Sequence, residues 1–220
     1  MRTSDNVEQV MPRYYAQRAA EYERVFDKPH RQPDIATLKA WLRTQFAGRR
    51  VLEVATGTGF WLPAATADAA AWLGTDLNPE VLAVAQQKPL DFNKVRFQHA
   101  DAYALAATVA PGGFDAAFAG LWFSHVPVSR RAAWLAQLHA CLQPGARVVL
   151  MDNRYVAGDS TPISRHDDEG NGFQQRQLSD GSAHEVLKNF PTAAEFAALL
   201  GGRAFEFREL TYFWTLVYEV

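Results

Sequence analysis

Cysteine is nearly absent: Cys141 is the only one among 220 residues, so no disulfide can form within the chain. It sits in an apolar, helix-like stretch before Pro144, where a small buried thiol is expected rather than a nucleophile. A basic excess is missing too. Twenty-two Lys and Arg stand against 24 Asp and Glu, a formal net charge of -2, which disfavours a protein that rides on phosphate backbones. The denser charges before residue 50 alternate in sign (Arg18, Glu21, Glu23, Arg24), as on a solvated helix face. Met1 to Val10 holds Asp5 and Glu8 and no apolar run, so neither a signal peptide nor a membrane anchor is read there, and a cytoplasmic location is expected. Internal repeats and low-complexity segments are lacking. What is present, 48% hydrophobic and 21% charged residues, describes an ordinary globular chain of one domain's length.

The pattern divides that length into four parts. Residues 1–48 read as an N-terminal helical cap, with Tyr15, Ala19, Tyr22 and Phe26 at helical spacing and a second helix over 34–47. In 50–153 buried strands (50–55, 72–76, 95–98, 114–119, 146–151) alternate with helices (79–87, 130–142), the texture of parallel strands covered on both faces. Residues 155–191 fit no such alternation. Gln174 to Leu178 and Ala183 to Leu187 there flank Ser179-Asp180-Gly181-Ser182, a hairpin with an Asp-Gly turn. In 192–220 Thr192 and Glu195 form a capping box, Gly201-Gly202 ends the helix, and two strands (204–210 and 212–220) are joined too closely to be anything but antiparallel.

The chemistry centres on Val51-Leu52-Glu53-Val54-Ala55-Thr56-Gly57-Thr58-Gly59-Phe60-Trp61, a strand, a glycine turn and a helix start. Glycine lets the backbone approach a ligand, and the carboxyl end of a strand faces the crevice where α/β sheets bind one. Asp76 ends the next strand, where a carboxylate grips ribose hydroxyls. A nicotinamide enzyme needs a third glycine, but Leu62 follows Phe60 and Trp61 there, and Glu53 suits a ligand amine better than a pyrophosphate.

Five motifs in order resemble the class I S-adenosylmethionine-dependent methyltransferases, the small-molecule type. Glu53 to Gly59 resembles their motif I, with Ala55 replacing the first glycine. Asp76-Leu77-Asn78, Asp101-Ala102-Tyr103, Phe114 to Ala119 and Leu142-Gln143-Pro144-Gly145 resemble the motifs that follow. The resemblance implies an α/β Rossmann-like seven-stranded sheet, mostly parallel with a C-terminal antiparallel strand, helices on both faces and an N-terminal helical cap. It implies S-adenosylmethionine as cofactor and S-adenosylhomocysteine as product. Ala55, Thr56, Gly57 and Gly59 would form the loop at the methionine moiety, with Glu53 at its amine. Asp76 would hold the ribose, and Asp101 the adenine amine, with Leu77 and Ala102 near the ring. Asp101 also reads as a helix N-cap. Tyr14-Tyr15, Arg18 and Tyr22 resemble a helix that closes over the cofactor, and Trp122 falls beside the methyl group.

After the fourth strand, His125 is a candidate base, with a histidine packed under the loop as the competing reading. Asp152-Asn153 invites a Mg²⁺ reading, but no carboxylate follows the fourth strand to complete an oxygen shell, and no metal is expected. Arg154 and Tyr155 are expected to orient the substrate, and Trp61, Trp122 and Phe123 to suit a partly flat, apolar one. The expected activity is methyl transfer to O or N of a small molecule by a monomer or homodimer without nucleic-acid or membrane partners. The competing readings are a cofactor-binding regulator without catalysis, and a methyltransferase acting on protein or RNA.

Overall fold

The computed structural model describes residues 22–178 and 181–220, with the Tyr22 side chain excluded. Tyr14, Tyr15 and Arg18 lie outside the described residues, as does the first part of the expected N-terminal helix. Its end, Tyr22–Phe26, is a short 3₁₀ turn, followed by another at Pro29–Arg31.

Seven strands form the main sheet: β1 (Arg50–Val54), β2 (Ala71–Asp76), β3 (Val95–His99), β4 (Phe114–Gly120), β5 (Leu142–Asn153), β9 (Phe205–Glu209) and β10 (Phe213–Glu219). Their order is β3-β2-β1-β4-β5-β10-β9. The first five pair in parallel, and β10 runs antiparallel to both β5 and β9. Strand order reverses direction between β1 and β4, so a crevice opens at the carboxyl ends of these two strands.

Alternation along each strand feeds two cores. Leu52, Val54, Ala117, Val148, Leu150, Trp214 and Leu216 face one side, where they meet helices at Arg131–Ala140 and Ala193–Leu200. Val51, Ala116, Phe118, Val149, Met151 and Phe213 face the other, under the helix Gln32–Gln45 and the short helices Leu62–Ala65 and Pro79–Ala85. Full burial on both faces is why these strands read as unbroken apolar runs. Asp34, buried in the first of these helices, accepts the Tyr212 N–H at 2.7 Å and ties the N-terminal layer to the last hairpin. The capping box holds as expected: Thr192 Oγ1 accepts the Glu195 N–H and Glu195 accepts the Thr192 N–H, while Gly201 closes the helix in the left-handed conformation.

The insertion is a second, three-stranded antiparallel sheet of β6 (Arg165–His166), β7 (Gly172–Gln177) and β8 (Ala183–Leu187). The expected hairpin is β7–β8, and its third strand falls within Arg165-His166-Asp167-Asp168, which composition alone reads as a solvated loop. Two residues pair here because Arg165 is fastened twice, by its ion pair with Glu185 and by its guanidinium 3.7 Å over the Phe173 ring. Among the described residues no helix is long and apolar enough to cross a membrane.

Candidate functional site

A cavity opens at the crevice between β1 and β4. It is lined by the loop Ala55, Thr56, Gly57 and Thr58, by Asp76 and Leu77, by Asp101 and Ala102, and by Leu121 and Trp122. The loop is a strained turn. Ala55 and Leu121 are the two non-glycine residues with positive φ among the described residues, at 55° and 59°, and both line this cavity. An L-residue pays about 1–2 kcal/mol for that conformation, and such strain concentrates where a ligand dictates backbone shape. Gly57 (φ 59°) stands in open space, whereas a Cβ on Gly59 would meet Leu62 Cδ1 at 2.7 Å and Ala85 Cβ at 3.1 Å. Gly59 therefore lets the following helix pack and does not itself line the cavity.

Asp76 is buried, and burial pushes its carboxyl above the ordinary value. Its Oδ2 accepts the Gly57 N–H and its Oδ1 the Asn78 N–H, both at 2.9 Å, so the acid locks the glycine loop to β2. Asp101 is exposed and accepts the Tyr103 N–H at 2.8 Å, a turn rather than a helix cap, since the next 3₁₀ turn begins only at Leu105. Glu53 is not at the cavity surface. Its Oε2 accepts from Trp72 Nε1 at 2.9 Å and Thr56 Oγ1 at 3.1 Å, and burial raises its carboxyl to about 8. The sequence expectation that Glu53 faces a ligand amine is thus corrected: it braces the loop from behind.

A second cavity adjoins the first, and Phe26, Leu121 and His125 line both. Its other walls carry Lys28, Arg31, Asn153, Asp159, Gln174, Arg176 and Lys188. Asp159 fastens the insertion to the N-terminal layer: Lys28 Nζ lies 2.8 Å from its Oδ1, His30 Nε2 2.8 Å from the same oxygen, and Arg31 pairs with Oδ2. Deeper, Lys188 Nζ donates to Ser124 Oγ at 2.6 Å and to Asp152 Oδ1 at 2.8 Å. Asp152 is fully buried and also accepts the Ser124 N–H. His125 Nδ1 lies 2.7 Å from the Leu187 carbonyl, which only accepts, so the ring proton sits on Nδ1. Burial first, then the Lys188 ammonium, push His125 below its ordinary value, so the imidazole is neutral at physiological pH.

Residues 51–145 match the model of the methyltransferase domain family. Comparison with curated protein sequences gives no match. Among solved structures, a DhpI–SAM–HEP complex is 26% identical with a TM-score of 0.78, covering 98% of this chain and 99% of that one. A DhpI–SAH complex is also 26% identical, TM-score 0.75, covering 98% and 97%. The 1,6-didemethyltoxoflavin-N1-methyltransferase of Burkholderia thailandensis, with its substrate and S-adenosylhomocysteine bound, shares the fold at 17% identity, TM-score 0.62, covering 100% of this chain and 91% of that one. Residues 51–145 thus carry a methyltransferase domain, and the chain has the fold of the S-adenosylmethionine-binding methyltransferases.

The first cavity fits that cofactor on its own polar atoms. Thr58 Oγ1 and the indole nitrogens of Trp61 and Trp122, residues of its lining, are buried with no hydrogen-bond partner among the described residues. Buried donors in native proteins are almost always satisfied, so three such atoms on residues of one cavity fit a polar ligand there. Several expected substrate residues move elsewhere. Arg154 lines neither cavity: β5 runs on to Asn153, the Arg154 N–H bonds the Tyr212 carbonyl, and the guanidinium reaches Leu210 O at 2.6 Å and Glu209 at 3.2 Å. Tyr155 is exposed, its ring against Phe190, and also lines neither. Phe123 is buried in the core between Trp134 and Phe196. The residues that do surround the second cavity, Lys28, Arg31, Arg176 and Lys188, carry no local signature, for they come together from distant parts of the chain.

The Asp159 cluster makes its own prediction. Burial raises the Asp159 carboxyl, but hydrogen bonds with Lys28, Arg31 and His30 outweigh that and hold it well below the usual carboxylate range. A depressed folded pKa contributes stability that is full above the unfolded value of about 3.9 and is lost as pH falls through the folded one. Asp159→Asn should therefore lower the melting temperature at pH 7, and the difference from the unmodified protein should shrink as pH drops below about 4. Thermal melts of both proteins across that range check it, and a pH-independent difference would refute the ion-pair role.

Proposed function

We propose that this methyltransferase acts on O or N of a small molecule held in the second cavity, with the reacting methyl group at the junction formed by Phe26, Leu121 and His125. The observation that carries this reading is the shared wall: two cavities, one on the glycine loop and one under the insertion, meet at three residues. In the first cavity the backbone at Ala55, Thr56 and Gly57 would receive the methionine moiety, Asp76 the ribose, Asp101 the adenine amine, and Leu77 and Ala102 the ring faces. Trp122 would border the methyl group. S-adenosylmethionine, when bound, supplies a sulfonium-activated methyl carbon, and the chain's own part is to align the acceptor with it and to exclude water. His125 Nε2, on the ring edge opposite the Nδ1 proton, would orient the acceptor. Its depressed basicity suits an acceptor that loses its proton easily or has none to lose. The residue 155–191 insertion would act as the lid over this second cavity.

DhpI with SAM and HEP, and the toxoflavin-precursor enzyme, support the small-molecule class. The test is a methyl-labelled cofactor given to a cell extract split by filtration into small and macromolecular fractions. Label should pass into a product of the small fraction. Label appearing only in protein or RNA overturns the reading.

Metal independence follows from the partners of Asp152. Both its oxygens are engaged, by Lys188 and by the Ser124 and Asn153 N–H groups, and its side chain is fully buried. A hard cation would have to displace an ammonium to reach it. Transfer is therefore expected to persist in excess EDTA, and loss of activity restored by Mg²⁺ would promote Asp152 and Asn153 to ligands.

A further inference from the structure

Four cations line the second cavity: Lys28, Arg31, Arg176 and Lys188. Among the described residues, Asp159 pairs with Lys28 and Arg31, and Asp152 with Lys188. The cations are not loose surface groups. Lys188 and Arg31 are nearly buried, with side chains 4% and 7% exposed. Each is fixed by hydrogen bonds: Lys188 by Asp152 and Ser124, Arg31 by Asp159 and by Asn153 Oδ1 at 3.2 Å, both of which share the cavity wall with it. Arg176 donates from Nε and Nη2 to Gln174 Oε1 at 3.2 and 2.8 Å, and Gln174 is itself fixed to the Thr161 carbonyl.

They also share one space. The Lys188 ammonium is destabilised by burial and then by Arg176 and Arg31, against the pull of Asp152. The same Lys188 and Arg176 bear on His125 at the mouth of the cofactor cavity. Gathering like charges around a recess costs folding energy unless a counter-charge enters it, and low-dielectric walls focus their field on that recess. We propose that the methyl acceptor is a small acid whose oxyanion is seated in this cavity by Arg176, Lys188 and Arg31. This rests on the two-cavity reading above and names the substrate class it left open. Guanidinium hydrogens beyond those given to Asp159, Asn153 and Gln174 suit the oxygens of a carboxylate or a phosphorus oxyacid, and Lys188 adds a point charge. Anchored so, the rest of the acid extends past His125 toward the cofactor.

The test uses the full chain, with and without saturating S-adenosylhomocysteine, titrated with inorganic phosphate and, separately, with acetate at constant chloride. At least one anion should bind saturably, and the stronger of the two identifies the acid as phosphorus-based or carboxylic. Arg176→Gln, which keeps the side chain polar, should weaken that binding about tenfold or more while leaving S-adenosylhomocysteine affinity unchanged. If neither anion saturates, or if Arg176→Gln binds as well as the unmodified protein, the inference fails. Should S-adenosylhomocysteine itself not bind, the failure lies in the cofactor reading, and the anion titration without it still decides the acid.

Discussion

Asp76→Ala should weaken S-adenosylhomocysteine binding by about 1.5–3 kcal/mol, roughly ten- to over a hundredfold, with no NAD binding in either protein. The size follows from what the carboxylate does twice over. Two of its roughly four lone-pair positions accept the Gly57 and Asn78 N–H groups, which leaves the others for ribose hydroxyls. Removing the group thus deletes the ligand contact and also frees the glycine loop from β2. Isothermal titration of both proteins reads the effect. Unchanged affinity in the variant would mean that the ribose does not lie on Asp76, and tight NAD binding would overturn the cofactor.

The second large effect is expected from the insertion. Replacing residues 159–181 by a short Gly-Ser linker removes Asp159, β6, β7 and with them Gln174 and Arg176, but keeps β8, whose Leu187 carbonyl holds His125. No described residue of the excised stretch lines the first cavity. Cofactor affinity should therefore stay within a few-fold while methyl transfer is lost. If the insertion merely stabilises the fold, deletion lowers the melting temperature and spares the rate per folded molecule. Because the excision also takes Asn171 Oδ1 from the Val128 N–H, a milder companion is needed. Asp159→Ala, which releases only the link to Lys28, His30 and Arg31, should reduce transfer less and leave cofactor binding alone. Binding and turnover measured on one preparation separate the two accounts.

The sheet was legible because its signals are local. Buried parallel strands give apolar runs, Thr192 and Glu195 are three residues apart, and the glycine loop, Asp76 and Asp101 each sit at the end of one strand. The cofactor side of the site follows from those strand ends. Glu53 and Gly59 show the limit of that reasoning, for the motif places them beside a ligand while packing against Trp72 and Ala85 turns both to support. The acceptor side was illegible for a different reason. Arg154 looks exposed to substrate when β5 is ended at Met151, but the strand continues to Asn153 and hands Arg154 to the Leu210 carbonyl. Lys28, Arg31, Arg176 and Lys188 are separated by up to the whole length of the core, and only the docking of the insertion on residues 28–31 makes them one wall. No spacing rule reports a contact between such distant segments.

The most direct measurement of the central claim is a crystal structure of the protein with S-adenosylhomocysteine bound. The account predicts the ribose on Asp76, the adenine between Leu77 and Ala102 near Asp101, and the sulfur at the junction of Phe26, Leu121 and His125, opening toward the cavity of Arg31, Arg176 and Lys188. A ligand bound away from the glycine loop, or a sulfur walled off from that second cavity, would contradict it.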